Sequence, residues 1–178
     1  RRLEDARLPC HVIATDLLDG SEVILSSGDA IQALLASAAI PAVFPPVTID
    51  GRALMDGGIA SNTPIAAAFA RGATRMLVLP TGVPCALSSP PRGAIAVGLH
   101  ALNLLAMRQL LADVDRYAER CELQVVPPLC PLSTITYDFS NTRELIDRAE
   151  RATRSWLADP SPNPDPRWSL LPHRHRPA

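Results

Sequence analysis

Apolar and polar positions alternate between two periods along the chain, and the switches predict an ordered series of elements. His11–Thr15 is a β-branched apolar run that reads as a buried strand. Glu22–Leu25 reads as a second strand, joined to the first through the hairpin-type turn signal Asp19-Gly20. The period then lengthens. Asp29 is placed to cap a helix, with Gln32 completing a capping box. Ile31, Leu34, Leu35 and Ala38 share one predicted face of that helix, and Pro41 is expected to stop it. The Ala36–Ala39 cluster permits close helix-on-sheet packing.

Leu54-Met55-Asp56 reads as the end of a further strand running into Gly57-Gly58, a turn with room for φ > 0 and for close approach of another segment. Thr63 and Pro64 suit an N-cap and first helical position, for a helix to about Arg71 closed by Gly72. Arg75–Leu79 and Leu123–Val126 read as strands. Between them lie a Pro/Gly/Ser-rich loop, 81–93, and a long helix to about Arg120. Its predicted core stripe is Ile95, Leu99, Leu102, Ala106, Leu110, Val114 and Tyr117; Val97, Leu104, Met107 and Leu111 form a second apolar face. A last helix is expected behind an Asn141/Glu144 capping box, with Leu145, Ala149, Ala152 and Trp156 inward. The expected organisation is one α/β unit over 1–158 and a Pro-rich, disordered tail over 159–178.

Composition narrows the classes. A chain of 178 residues with 47% hydrophobic content can bury a real core. Net charge is −1, so no electrostatic case exists for nucleic acid. Every basic residue is Arg, a bias typical of a GC-rich bacterial genome. No stretch reads as long and apolar enough to span a bilayer. Cys10, Cys85, Cys121 and Cys130 show no Cys-x-x-Cys spacing, so no metal is expected and the thiols read as core or surface residues in a reducing compartment. His173 and His175 read as ordinary tail residues or as a pair with tag-like nickel affinity, not as a metal site.

The chemistry concentrates at Asp56, a carboxylate between an apolar run and two glycines. Asp before Gly commonly bonds its own backbone. Here it follows Val12-Ile13-Ala14-Thr15-Asp16, Ser27-Gly28-Asp29, Ala36-Ser37-Ala38-Ala39-Ile40-Pro41 with Phe44-Pro45-Pro46, and Asp50-Gly51-Arg52. This order and spacing resembles the C-terminal half of the catalytic domain of patatin-like phospholipases, most specifically from Cys10 to Leu79 and more loosely through Tyr137-Asp138-Phe139-Ser140. The resemblance implies part of a three-layer α/β/α fold and a serine–aspartate dyad that cleaves acyl esters, with Asp56 as the dyad aspartate. It implies a lipid ester substrate at a membrane or micelle surface, no cofactor, and a cytoplasmic or peripheral-membrane bacterial protein.

The family's Gly-x-Ser-x-Gly nucleophile has no counterpart: no serine here has glycine at both −2 and +2, and Ser26 has Gly28 after it but Ile24 before it. The chain therefore reads as the second half of a longer protein, bearing the base and not the nucleophile. Asp16, Asp19 and Asp50 compete for the catalytic role. Asp19 and Asp50 precede glycine and read as turn residues; Asp16 reads as a turn cap or a support for Asp56. Asn62 is placed to orient the turn or to cap. Two other readings stand beside the hydrolase. One is a non-catalytic module that keeps the fold. The other is a phosphotransfer enzyme using Asp16, which lacks a second carboxylate because Leu18 fills that position.

Overall fold

The computed structural model describes residues 1–135, 138–158, 167, 170–173 and 175. It is an α/β protein whose contacts divide it into two compact units, Arg1–Pro64 and Ile65–Ala178.

The first unit is a four-stranded antiparallel sheet with order β2-β1-β4-β3. β1 (Val12–Asp16) pairs with β2 (Glu22–Leu25) on one side and with β4 (Arg52–Asp56) on the other. All five residues of β1 are buried, as a central strand made of β-branched and small residues should be. β3 (Val47–Ile49) was not evident from its short apolar pattern; it is fixed by a two-residue hairpin in which Ile49 faces Arg52. Asp50 and Gly51 both have positive φ, at 50° and 77°, the conformation of a type I′ turn. Asp50 is thus a turn residue, as its Gly neighbour indicates.

Helix α1 (Ala30–Ser37) begins where expected: the Asp29 carboxylate accepts the N–H groups of Ile31 and Gln32. Its orientation departs from the hydrophobic stripe. Ala33 and Ala36 are buried against the sheet, while Ile31, Leu34 and Leu35 are 62%, 59% and 52% exposed. Ala36 packs with Ala14 and Leu54, and small side chains let the helix axis come close to the strands. The helix ends at Ser37, short of Pro41.

In the second unit, α3 (Ile65–Ala70) leads through Gly72 to β5 (Arg75–Val78), which pairs in parallel with β6 (Glu122–Val125). Among the described residues Thr63 forms no capping bond at the start of α3. The crossover between the strands is α4 (Ala94–Tyr117). Among the described residues its fully buried positions lie in the C-terminal part: Leu110, Val114 and Tyr117 join Ile65, Met76, Val78, Val125 and Leu170 in the main core. Tyr117 also meets Phe69, ring centroids 5.1 Å apart. Ile95 and Val97, expected on the inward faces, are 62% and 52% exposed. By length and composition α4 can cross a bilayer, contrary to the sequence reading. Its C-terminal end, against the strands, is that of a core helix.

Helix α5 (Thr142–Ala158) begins behind a turn in which Asp138 accepts the Ser140 N–H, and Thr142 donates to the Phe139 carbonyl. None of its residues is buried; Leu145, Ala149 and Trp156 are half-covered and Ala152 is exposed, so the expected inward stripe is only partly seated. Thr136, Tyr137 and most of the expected tail, 159–166, 168–169, 174 and 176–178, lie outside the described residues. Leu170, within that tail, is 3% exposed in the core.

Candidate functional site

Asp56 is the last residue of β4, and α2 (Gly58–Ser61) starts two residues later. Backbone bonds pin the junction from the far side. The Asp56 N–H donates to the Ala39 carbonyl at 3.0 Å and the Gly57 N–H to the Ser37 carbonyl at 3.3 Å. Carbonyls at the end of α1 thus hold the turn, which is why the Ala-Ser-Ala-Ala-Ile-Pro segment and the Asp-Gly-Gly segment occur together. From β1, the Thr15 hydroxyl donates to the Asp56 carbonyl at 2.8 Å and accepts the Ala60 N–H at 3.1 Å. Thr15 is fully buried. Sequence reasoning missed it; a lone Thr in a β-branched strand carries no signal of such a role.

The two glycines serve space, not positive φ. Gly57 is right-handed, at φ −64°, and neither Gly57 nor Gly58 is among the positive-φ residues. A Cβ on Gly57 would collide with the Ile13 carbonyl of the neighbouring strand. A Cβ on Gly58 would lie 2.8 Å from Asp56 Oδ1 and 2.9 Å from Asn62 Oδ1. The absent side chain lets the Gly58 N–H reach Asp56 Oδ1 at 2.7 Å. Among the described residues no donor is bound to Oδ2, and Asn62 does not bond the carboxylate.

Electrostatics separate Asp56 from the other acids. Burial pushes its carboxyl above the ordinary carboxylate range, against the opposing pull of the Gly58 N–H. Glu4, Asp16, Asp19, Asp29 and Asp138 all move the other way, each held down by hydrogen bonds. Asp16 accepts the Leu18 N–H at 2.9 Å through Oδ1 and pairs with Arg52 Nε at 2.7 Å through Oδ2. Both oxygens are engaged, so Asp16 is a turn cap and ion-pair partner. That arrangement disfavours the phosphotransfer reading, which needs a free nucleophile there. Asp19 closes its own turn by accepting the Ser21 N–H.

A second cluster of chemistry-bearing side chains lies in the other unit. Cys85, Cys130, His173 and His175 come together there, although spacing along the chain gave no sign of it. Beside it runs an apolar groove of about 780 Å³ along α4, past Leu104, Met107 and Leu111.

The segment that ends a central strand in a part-buried aspartate before two closely packed glycines is also the segment that known proteins share. Residues 8–69 match the model of the patatin-like phospholipase family. An uncharacterised NTE family protein of Mycobacterium tuberculosis is 44% identical over 64 residues, 36% of this chain and 18% of that protein. A like-named protein of Mycobacterium bovis matches to the same extent. A lysophospholipase of Eremothecium gossypii is 28% identical over 81 residues, 46% of this chain and 5% of that protein. The matched segment spans under a fifth of the length of each of these relatives. Through this segment, the chain is similar to the patatin-like phospholipase family.

Proposed function

We propose that this chain carries the general base of a serine–aspartate lipid acyl hydrolase, and that Asp56 is that base. The observation that supports it is the state of Asp56: a part-buried carboxylate of raised pKa, with one oxygen fixed by Gly58 and the other unbonded among the described residues. An ordinary carboxylate, pKa ~3.9, is a weak base towards a hydroxyl. Withdrawal from water raises its basicity, and the fixed oxygen aims the second lone-pair set.

In this reading a serine from sequence outside these residues attacks the ester carbonyl as Asp56 takes its proton. The leaving alcohol accepts that proton as the tetrahedral intermediate collapses. Water then attacks the acyl-serine, Asp56 again taking the proton, and the fatty acid leaves as serine is restored. No imidazole is required, in contrast to the three-residue arrangement. The substrate class is a phospholipid or related lipid ester, presented at a membrane or micelle surface.

The test uses the full-length protein that contains this chain, with long-chain p-nitrophenyl esters and lysophospholipid micelles. Asp56→Asn should lower kcat by about 10²–10⁴ or more while the protein stays folded. Asp16→Asn should act mainly on stability. An Asp56→Asn protein with unchanged kcat, or one with no hydrolysis even before substitution, would favour the non-catalytic module.

A further inference from the structure

We propose that Cys85, Cys130, His173 and His175 form a structural zinc site that fastens the C-terminal segment to the second unit. The four ligand atoms, two sulfurs and two imidazole nitrogens, all lie within 4.8 Å of one another. Cys130 Sγ is 3.9 Å from Cys85 Sγ, 3.1 Å from His173 Nε2 and 2.9 Å from His175 Nε2. A tetrahedral zinc with Zn–S ~2.3 Å and Zn–N ~2.0 Å sets its ligand atoms ~3.3–3.8 Å apart. The three Cys130 contacts need shifts of about 0.1–0.6 Å to reach that spacing, and no pair in the cluster needs to close by more than about 1.5 Å. Two thiolates and two imidazoles also suit zinc among the divalent ions, and four protein ligands leave no open position for catalysis.

The surroundings are those of a ligand set. His173 Nδ1 lies 2.8 Å from the Leu171 carbonyl, which calls for a proton on Nδ1 and leaves the Nε2 lone pair facing the sulfurs. The Leu132 N–H donates to Cys85 Sγ at 3.3 Å. Backbone bonds bring the three contributing segments into register: Cys85 and Ala86 N–H groups both reach the Leu132 carbonyl, and the His175 N–H reaches the Cys85 carbonyl at 2.8 Å. Leu170 is buried in the main core a few residues earlier. A metal would therefore close the end of a segment already anchored once, and tie it to the two loops that carry Cys85 and Cys130. Both cysteines are free thiols in the structure, with no disulfide between them.

The experiment takes the 178-residue chain without an affinity tag, purified under reducing conditions. Zinc is measured after gel filtration, and cobalt is titrated into chain stripped of metal. Close to one equivalent of zinc should be retained. Cobalt should give the intense visible bands of a tetrahedral ion together with thiolate charge transfer. Cys85→Ser, Cys130→Ser and the double variant His173→Ala/His175→Ala should each weaken zinc binding roughly tenfold or more. Cys10→Ser, outside the cluster, should leave it unchanged. The cobalt spectrum of the unaltered chain reports on the site even where a variant fails to fold. Three results would overturn the proposal: no retained metal, binding without thiolate charge transfer that depends on the histidines alone, or a Cys85–Cys130 disulfide in peptide maps of the reduced, zinc-supplied chain.

Discussion

The Thr15 hydroxyl sits between two backbone groups of the Asp56 turn, donating to the Asp56 carbonyl at 2.8 Å and accepting the Ala60 N–H at 3.1 Å. One buried oxygen thereby sets where β4 ends and where α2 begins. Thr15→Val keeps the shape and leaves both backbone groups without this partner. Removing one partner from a part-buried backbone group costs up to about 1–3 kcal/mol. The denaturant midpoint of the 178-residue chain should fall accordingly, while Thr15→Ser, which keeps the hydroxyl, should recover most of the loss. Equal losses in Val and Ser variants would show that the methyl group matters and the hydrogen bonds do not.

The two glycines should differ in kind. At Gly57 a Cβ meets the fixed backbone carbonyl of Ile13, so Gly57→Ala should prevent folding or cost several kcal/mol, in the range of severe overpacking. At Gly58 the obstacles are the ends of two side chains, Asp56 and Asn62, which can move. Gly58→Ala should fold, with a modest drop in melting temperature, and lower the hydrolytic rate of the full-length protein by displacing the carboxylate. Circular dichroism melts and esterase rates on the pair provide the check; an active Gly57→Ala protein would contradict the packing described above.

Stability should depend on pH with opposite signs at Asp56 and Asp16. The native pKa of Asp56 is raised, so its favourable share is present below the unfolded value of about 3.9 and is lost as pH rises through the native value. Asp56→Asn cannot ionise and keeps an acceptor for Gly58. It should therefore melt above the parent chain at pH 7, with the gap closing as pH falls towards 4. The native pKa of Asp16 is lowered by the Leu18 N–H and by Arg52, so its share is present above about 3.9 and is lost as pH falls through the native value. Asp16→Asn should melt below the parent chain at pH 7, again converging in acid. Scanning calorimetry from pH 7 to 4 tests both; a destabilised Asp56→Asn at pH 7 would mean the carboxylate is structural.

The two faces of α1 predict opposite responses to substitution. Ala36 is fully buried, and Ala36→Leu should cost about 1–3 kcal/mol through overpacking against Ala14 and Leu54. Leu34 and Leu35 are more than half exposed, at 59% and 52%. Leu34→Gln/Leu35→Gln should change the unfolding free energy by no more than about 0.5 kcal/mol. It should also reduce self-association in light scattering, because the exposed face of α1 carries large apolar side chains at Ile31, Leu34 and Leu35. Loss of folding in the double glutamine variant would show that the leucine face, and not the alanine face, packs on the sheet.

Local chemistry made much of this protein legible in one dimension. β-branched runs marked β1 and β2, Asp29 marked the start of α1, and Asp50-Gly51 marked a tight turn, because each depends on residues a few positions apart. The Asp-Gly-Gly sequence with its upstream companions likewise carried the likeness to patatin-like phospholipases that residues 8–69 share, since a turn that excludes side chains must be written in glycine. What needed the tertiary structure was every choice between distant partners. The alanine face of α1 packs inward because the sheet leaves room only for small side chains, which a hydrophobicity pattern ranks below leucine. Thr15 holds the Asp56 turn from a strand 41 positions away. Cys85, Cys130, His173 and His175 meet because three separate segments are brought into register by backbone bonds, and no spacing rule along the chain contains that encounter.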